Sequence, residues 1–222
     1  MRVVAFAYSD SIPRLSPLYR GLAEDLVVNV NSVMPGVPIY HVRDDKTEPI
    51  PGAHTLLVSS DVPLMTWHMK AHREAQALGE EVLFTEPDVR FKADVLDVFD
   101  DPEFDVAVTE REVDSTWDLN GTKVLLSAVA PYTLGTTFSR SRQFWDDVTA
   151  HCMTLPAKEQ NWIGDMLALW AVMQTGKYRV KVIPGPIYNH IPCSREDACE
   201  VKVLHFKGMR KEWLFHGARE AA

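Results

Sequence analysis

Short apolar runs of strand type alternate along this chain with longer stretches of helical periodicity, and this alternation most constrains the fold. Residues 3–8 form a first apolar run, and residues 15–33 follow with an apolar stripe at helical spacing that ends at Pro35. Strands that alternate with helices favour an α/β architecture with a largely parallel central sheet. No repeat or long linker interrupts the pattern, so we expect one domain over residues 1–222.

The individual elements follow from apolar spacing and from glycine and proline positions. The sequence predicts strands at residues 3–8, 39–42, 55–58, 82–85, 105–109, 124–129, 133–138, 178–183 and 201–205, and helices at residues 16–33, 61–79, 140–154 and 159–174. Residues 112–122 are predicted to be a polar loop that borders an acceptor or is an ordinary surface loop.

The composition excludes several classes of protein. The formal net charge of −8 disfavours nonspecific binding to nucleic acid or to anionic membranes. No stretch approaches the length of a transmembrane segment, and polar residues from Ser9 onward come too early for the core of a secretion signal. Three cysteines without a CxxC pair are typical of a reducing compartment. We therefore expect a cytoplasmic protein that binds no nucleic acid.

One segment departs from the acidic average. Residues 202–211 carry four cations and no acid, namely Lys202, Lys207, Arg210 and Lys211. Such a patch indicates either a specific anionic ligand or a solvated basic face.

Two carboxylates directly follow the buried strand at residues 82–85. Ligands of open α/β sheets bind at the carboxyl ends of strands, which is where Glu86 and Asp88 are predicted to lie. Carboxylates placed together repel each other unless a cation lies between them, and hard oxygen ligands suit Mg²⁺ or Mn²⁺. The alternative is a proline-containing turn with solvated acids.

A second polar group follows the last predicted strand. His205 comes directly after an apolar run, and its imidazole is an acceptable ligand for Mn²⁺. Lys207 offers a point charge to a phosphate, and Gly208 permits close backbone approach. Taken singly, His205 is better explained as a hydrogen-bonded core histidine and Lys207 as a solvated loop cation.

Together these segments resemble GT-A nucleotide-sugar transferases, nearest to glycosyltransferase family 8, which includes glycogenin and bacterial lipopolysaccharide galactosyltransferases. In that family a strand ends in an Asp-x-Asp motif that binds Mn²⁺, and a late His-Phe-x-Gly-x-x-Lys-x-Trp segment supplies a third metal ligand and pyrophosphate contacts. Residues 82–89 match the first motif with Glu86 in place of its first Asp, and residues 205–213 match the second. The resemblance implies the GT-A fold, a Rossmann-like, mixed, mostly parallel sheet flanked by helices.

The resemblance also implies roles for single residues. Glu86, Asp88 and His205 would hold Mn²⁺ (or Mg²⁺), and Lys207 would assist catalysis at the diphosphate. Donor-binding positions are also implied at Ala7, Tyr8, Ser9, Lys70 (or Arg73), Gly135 and Gly208. Tyr8 would stack on the base or, equally, be a core aromatic.

Two further motif positions are altered. Residues 133–135 resemble an Asn-x-Gly strand with Thr133 in place of Asn, and residues 165–166 resemble an Asp-Gln element with Met166 in place of Gln. Asp165 would contact the transferred sugar or the acceptor.

The implied activity is a metal-dependent, hexosyltransferase-like transfer (class EC 2.4) from a UDP-sugar to a glycan, lipid or protein acceptor, with retention at the anomeric carbon. Two alternatives stay open: a noncatalytic nucleotide-sugar-binding module, and a sugar-phosphate nucleotidyltransferase. The second is disfavoured because residues 9–14 lack the glycine-rich loop that such enzymes need.

Overall fold

The computed structural model describes residues 1–11, 18–119, 121–194 and 200–214. Within these ranges the strands are β1 (Arg2–Ala7), β2 (Ile39–Arg43), β3 (His54–Leu57), β4 (Glu81–Thr85), β5 (Val89–Phe91), β6 (Val106–Glu110), β7 (Thr116–Leu119), β8 (Thr122–Leu125), β9 (Tyr132–Ser139), β10 (Val180–Ile183) and β11 (Val203–His205). The helices are α1 (Leu18–Val33), α2 (Leu64–Ala75), α3 (Leu126–Val129), α4 (Arg142–Thr154), α5 (Ala157–Gln160), α6 (Gly164–Met173) and α7 (Gly185–Tyr188), with 3₁₀ turns at Leu96–Asp100 and Gly208–Lys211.

The largest sheet contains seven of the described strands, in the order β10-β6-β9-β4-β1-β2-β3. All neighbours pair in parallel except β9, which runs antiparallel to both β4 and β6. The predicted mixed, mostly parallel sheet is confirmed. Because the parallel strands share a direction, their carboxyl ends meet at one edge of the sheet, and β9 begins at that edge.

Helices cover both faces of this sheet. On one face Val4 and Phe6 of β1 pack in a cluster with apolar side chains of α1, and on the other Val3 and Ala5 pack with Trp67 and its neighbours on α2. Helices α4 and α6 extend the α2 layer. A strand buried on both faces needs no polar alternation, which explains the continuous apolar run of β1.

Two element predictions are wrong. Residues 124–129 do not form one strand. Residues 124 and 125 end β8, and residues 126–129 form α3, where Asp114 accepts hydrogen bonds from the backbone N–H and the hydroxyl of Ser127 and so stabilises the first turn. The predicted helix at residues 159–174 is broken into α5 and α6 at Ile163, whose φ of 65° is left-handed.

Two strand pairs lie outside the large sheet. Strand β5 pairs antiparallel with β11, and β7 pairs antiparallel with β8 inside the predicted polar loop. Strands β5 and β7 were not predicted. The predicted start of the first helix at Ser16 and the cysteine at position 199 lie outside the described residues. Among the described helices, none combines the length and apolar character needed to cross a bilayer.

Candidate functional site

The structure brings Glu86, Asp88 and His205 together at the carboxyl edge of the sheet. His205 Nε2 lies 3.0 Å from Glu86 Oε2 and 3.3 Å from Asp88 Oδ1. Lys211 Nζ lies 2.6 Å from Asp88 Oδ2. His205 and Asp88 are buried and Glu86 is half-buried. We call Glu86, Asp88 and His205 the acid–histidine cluster.

Two pairs of neighbouring strands hold the cluster. The antiparallel pairing of β5 with β11 sets His205 opposite Val89, and the Phe206 N–H donates to the Asp88 carbonyl at 2.9 Å. On the other side, the Gly135 carbonyl of β9 accepts hydrogen bonds from the Glu86 N–H at 3.2 Å and from the hydroxyl of Thr85, the last residue of β4. Both carboxylates therefore project from backbone that is fixed by hydrogen bonds.

A buried relay of polar side chains orients the imidazole. His205 Nδ1 lies 2.8 Å from Asn189 Oδ1, and Asn189 Nδ2 donates to the Thr133 hydroxyl at 2.5 Å. Because an amide oxygen only accepts, Nδ1 carries a hydrogen and Nε2 is the atom presented to the two acids. A Cβ on Gly135 would lie 2.3 Å from His205 Nδ1, so only glycine lets the ring sit there.

The charges of the cluster are strongly coupled. Burial is the largest single effect and would raise the pKa of Glu86 and of Asp88, but the charge of His205, its contacts with the two acids and the nearby lysines together offset burial, and the pKa of both carboxyls is lowered. Lys211 lowers the pKa of Asp88 further. Burial would lower the pKa of His205, whereas Asp88 and Glu86 raise it, and the net shift is upward. The site therefore favours positive charge between its acids.

The acid–histidine cluster fits a divalent cation. One ligand atom from each of its residues lies within 4.8 Å of the others. Asp88 Oδ1 and His205 Nε2 are buried and have no partner with hydrogen-bond geometry, although both point into the cluster. Two carboxylate oxygens and one imidazole nitrogen are a donor set suited to Mn²⁺.

The loop after β11 places two predicted residues beside the cluster. Lys207 is half-buried, and burial lowers its pKa against the opposing charges of Glu86 and Asp88. Gly208 is exposed with a φ of 64°, a left-handed conformation that favours glycine and turns the chain into the 3₁₀ turn.

Asp165 lies in the first turn of α6 and faces α2. His68 Nδ1 lies 3.2 Å from Asp165 Oδ2. Burial would lower the pKa of His68, but Asp165 raises it and the net shift is upward. The left-handed Ile163 directly precedes this turn, and such a conformation in a β-branched residue costs about 1–3 kcal/mol. The surrounding structure thus holds Asp165 in place against local strain.

The loop after β1 bears on the two predicted alternatives for Tyr8. Tyr8 is 1% exposed and its ring stacks on His41, which favours the core aromatic over the residue that stacks on a base. Ser9 is also buried, and its hydroxyl donates to Asp44 Oδ2 at 2.8 Å. Ala7 is half-buried at the end of β1, and donor binding by the backbone at Ala7 and Ser9 stays a prediction.

The basic residues predicted on α2 are not brought to the acids. Lys70 is half-buried and makes no ion pair in the described part of the chain, while Arg73 pairs with Glu74. The α2 side chain that meets the site is His68, which lies two residues before Lys70 and so about 200° away around the helix. Sequence reasoning also missed Asn189, for which the sequence gives no signal beyond a polar residue after a strand.

Solved structures of glycosyltransferases share this architecture. A glycosyltransferase involved in the glycosylation of the major capsid of PBCV-1 aligns with a TM-score of 0.60 at 15% identity, over 96% of this chain and 98% of its own. The bifunctional glycosyltransferase WbbM aligns with a TM-score of 0.57 at 12% identity, over 93% of this chain and 45% of its own. GlyE of Streptococcus pneumoniae TIGR4 aligns with a TM-score of 0.56 at 14% identity, over 97% of this chain and 60% of its own.

The chain has a GT-A type fold. No protein-family model and no curated protein sequence matches it. Likeness at 12–15% identity shows the fold alone, so membership of glycosyltransferase family 8 stays a prediction.

Proposed function

We propose that this GT-A chain is a glycosyltransferase that moves a sugar from a UDP-sugar to a glycan, lipid or protein acceptor, with Mn²⁺ (or Mg²⁺) held by the acid–histidine cluster. The observation that carries the proposal is the convergence of Glu86, Asp88 and His205 at the sheet edge where open α/β folds bind ligands, with Asp88 Oδ1 and His205 Nε2 buried and without a partner in hydrogen-bond geometry. Retention at the anomeric carbon is part of the proposal and rests on the family resemblance.

Each side chain of the site has a role in this reaction. A bound Mn²⁺ would supply Lewis-acid stabilisation of the charge that grows on the leaving diphosphate. Lys207, beside the cluster, adds a fixed positive charge to the same oxygens. Asp165, held by His68, orients hydroxyl groups of the transferred sugar. Asn189 keeps His205 in the tautomer that presents Nε2.

A titration of UDP in the presence of Mn²⁺ tests the binding half of the proposal. Asp88→Asn keeps the size of the side chain but removes its charge, and we expect UDP affinity to fall by at least about 100-fold, since even residues that only support metal ligands are worth about 10- to 100-fold. Asp97→Asn is the matched control, because Asp97 is exposed and pairs with Lys202 instead. Equal UDP affinity in the Asp88→Asn variant and the wild type would contradict the proposed metal site.

Release of UDP from a panel of UDP-sugars, with and without Mn²⁺, tests the chemical half. Metal-dependent release that differs between sugars supports the transferase. Metal-dependent UDP binding without any release contradicts it and favours a binding module, whereas pyrophosphate formation from UTP and a sugar phosphate favours a nucleotidyltransferase.

A further inference from the structure

A cavity of about 170 Å³ adjoins the acid–histidine cluster on the side of Lys207. Its wall includes Arg111, Thr133, Asn189, Ile191, Lys207 and Arg210. Thr133 and Asn189 also form the relay that holds His205, so the cavity and the cluster share a wall. The cavity therefore lies where a substrate bound at the cluster would extend.

The three cations of this wall form no ion pair within the described part of the chain. In the described ranges, no carboxylate lies within ion-pair distance of Arg111, Lys207 or Arg210, whereas Lys202 and Lys211 of the same basic segment pair with Asp97 and Asp88. The segment that is uniformly basic in sequence is thus divided in space. Two of its cations are neutralised by the protein, and two face the cavity.

The contacts of the arginines leave hydrogen-bond donors unused. Arg111 Nε donates to the Ala130 carbonyl at 2.8 Å, and one terminal nitrogen lies 3.1 Å from the Met166 sulfur. These contacts fix the guanidinium without neutralising it. Arg210 Nε is buried and has no hydrogen-bond partner. A buried donor of this kind destabilises the protein unless a ligand satisfies it.

The two acids that also line the cavity are engaged by the wall itself. Glu112 lies 2.7 Å from His190 Nδ1 through one oxygen and accepts from the Ile191 N–H at 2.7 Å through the other. Asp114 accepts from the Ser115 and Ser127 backbones and from the Ser127 hydroxyl. Because both carboxylates form hydrogen bonds with groups of the wall, the electrostatic potential inside the cavity is set mainly by the cations.

We propose that this cavity binds an anionic group, a carboxylate or a phosphate, carried by the sugar being transferred or by the acceptor. The inference rests on the proposed function. That function places the diphosphate at Lys207 and the acid–histidine cluster, so the cavity would hold the sugar or the acceptor, which extends past the diphosphate. Guanidinium groups match carboxylate and phosphate in planar, two-point geometry, which a neutral sugar hydroxyl cannot offer. The substrate class is therefore an acidic sugar donor or an acidic acceptor.

Two probes separate these sources. UDP-glucuronate against UDP-glucose, titrated with Mn²⁺, reports an anion on the donor. Inorganic sulfate, titrated into protein saturated with UDP and Mn²⁺, reports an anion site left open for the acceptor. Each titration is repeated with Arg111→Gln, with Arg210→Gln, and with Lys202→Gln as the control from the same basic segment but outside the cavity.

We expect one of the two probes to bind and to lose at least about 10-fold in affinity in both arginine variants, as removal of a charge-assisted hydrogen bond predicts. The Lys202→Gln control should match the wild type. A preference for UDP-glucuronate assigns the anion to the donor, and sulfate binding without that preference assigns it to the acceptor.

The inference fails if UDP binds with Mn²⁺ but neither probe depends on Arg111 or Arg210. Arg210→Gln decides the case if Arg111→Gln does not fold, since Arg210 makes no side-chain hydrogen bond through Nε. Absence of UDP binding in the wild type is a different result: it contradicts the proposed function, while sulfate binding that depends on the two arginines would still support the anion site.

Discussion

Histidines in this protein occupy opposite electrostatic environments. His205 lies among carboxylates, which raise its pKa, whereas His41 is a buried residue of β2, where burial lowers its pKa to about 4. His41 Nε2 lies 3.0 Å from the Tyr8 carbonyl, and the Ile50 N–H donates to Nδ1 at 3.3 Å. The neutral ring thus satisfies both neighbours, and a second proton on Nδ1 would break the contact with Ile50.

The lowered pKa of His41 predicts a loss of stability in acid. The unfolded chain takes up a proton near pH 6.5 but the folded chain only near pH 4, so the contribution of His41 is complete above pH 6.5 and is lost as the pH falls towards 4. Between pH 7 and pH 5 this amounts to about 2 kcal/mol of unfolding free energy. Urea unfolding at both pH values should show a smaller loss in His41→Asn than in the wild type.

His54→Asn is the control for this comparison, because His54 is exposed on β3. Its acid loss should equal that of the wild type. An equal loss in His41→Asn and the wild type would mean that His41 does not stay neutral in the fold.

Single residues were predictable from sequence only where the backbone decides their position. Glu86, Asp88 and His205 follow buried strands, and strand ends at one sheet edge must converge. Tyr8 and Lys70 depended instead on partners from other elements. The ring of Tyr8 is covered by His41, and the orientation of α2 directs His68 rather than Lys70 towards Asp165. One sequence carries no information about such pairings.

At the scale of elements, strand β9 positions the residues of the acid–histidine cluster. It is the one described strand of the large sheet that runs antiparallel to its neighbours. The carbonyl of Gly135, near the start of β9, accepts hydrogen bonds from the end of β4, and the absence of a side chain on Gly135 leaves room for His205 of β11. Three strands therefore meet at one residue, and the spacing between the acids and His205 depends on it.

Gly135→Ala should destabilise the protein by about 2–3 kcal/mol, since the added methyl group would overlap His205 and Asn189 in a packed core. Gly121→Ala is the control, because a Cβ there meets no atom within 4 Å and only the positive φ of 82° is strained. That strain costs about 1 kcal/mol. Urea unfolding of both variants measures the difference, and equal losses would show that the close approach at Gly135 is not rigid.

Helices and strands were predictable where burial imposes a regular spacing of apolar residues. They were missed where local hydrogen bonds or a single backbone conformation determine the structure. The central strands β1 and β4 were predicted because they are buried on both faces and therefore read as continuous apolar runs. The strands β7 and β8 are exposed or half-buried along their whole length, so burial imposes no period on them, and the Asn-Gly dipeptide at positions 120–121 was the available indication in the sequence that they pair. The break between α5 and α6 rests on one left-handed residue that no periodicity reveals.

The whole molecule carries a net charge of −8, although its proposed ligand is an anion. Long-range attraction therefore cannot deliver a diphosphate, and binding depends on the local cations and on metal bound with the nucleotide. A bound cation offsets the repulsion between the two acids, and the diphosphate supplies further ligands to that cation. Metal and nucleotide should therefore bind cooperatively.

This coupling predicts a joint effect on thermal stability. At a UDP concentration about 100 times its dissociation constant, with Mn²⁺ present, unfolding should cost about 2.7 kcal/mol more, which raises the melting temperature of a chain of this size by about 5–10 °C. UDP alone or Mn²⁺ alone should give a much smaller rise, and EDTA should reverse the joint effect. Additive rises from the two ligands, measured by differential scanning fluorimetry, would contradict the cooperative site.

The pairing of β5 with β11 has a consequence for biosynthesis. Both carboxylates and nearly the whole sheet are translated before the strand that bears His205, which reaches its place only by docking beside β5. A nascent polypeptide halted before that point already has its platform but lacks the imidazole. The order in which a ribosome releases the elements thus leaves an unfinished copy without its third candidate metal ligand until β11 has been added.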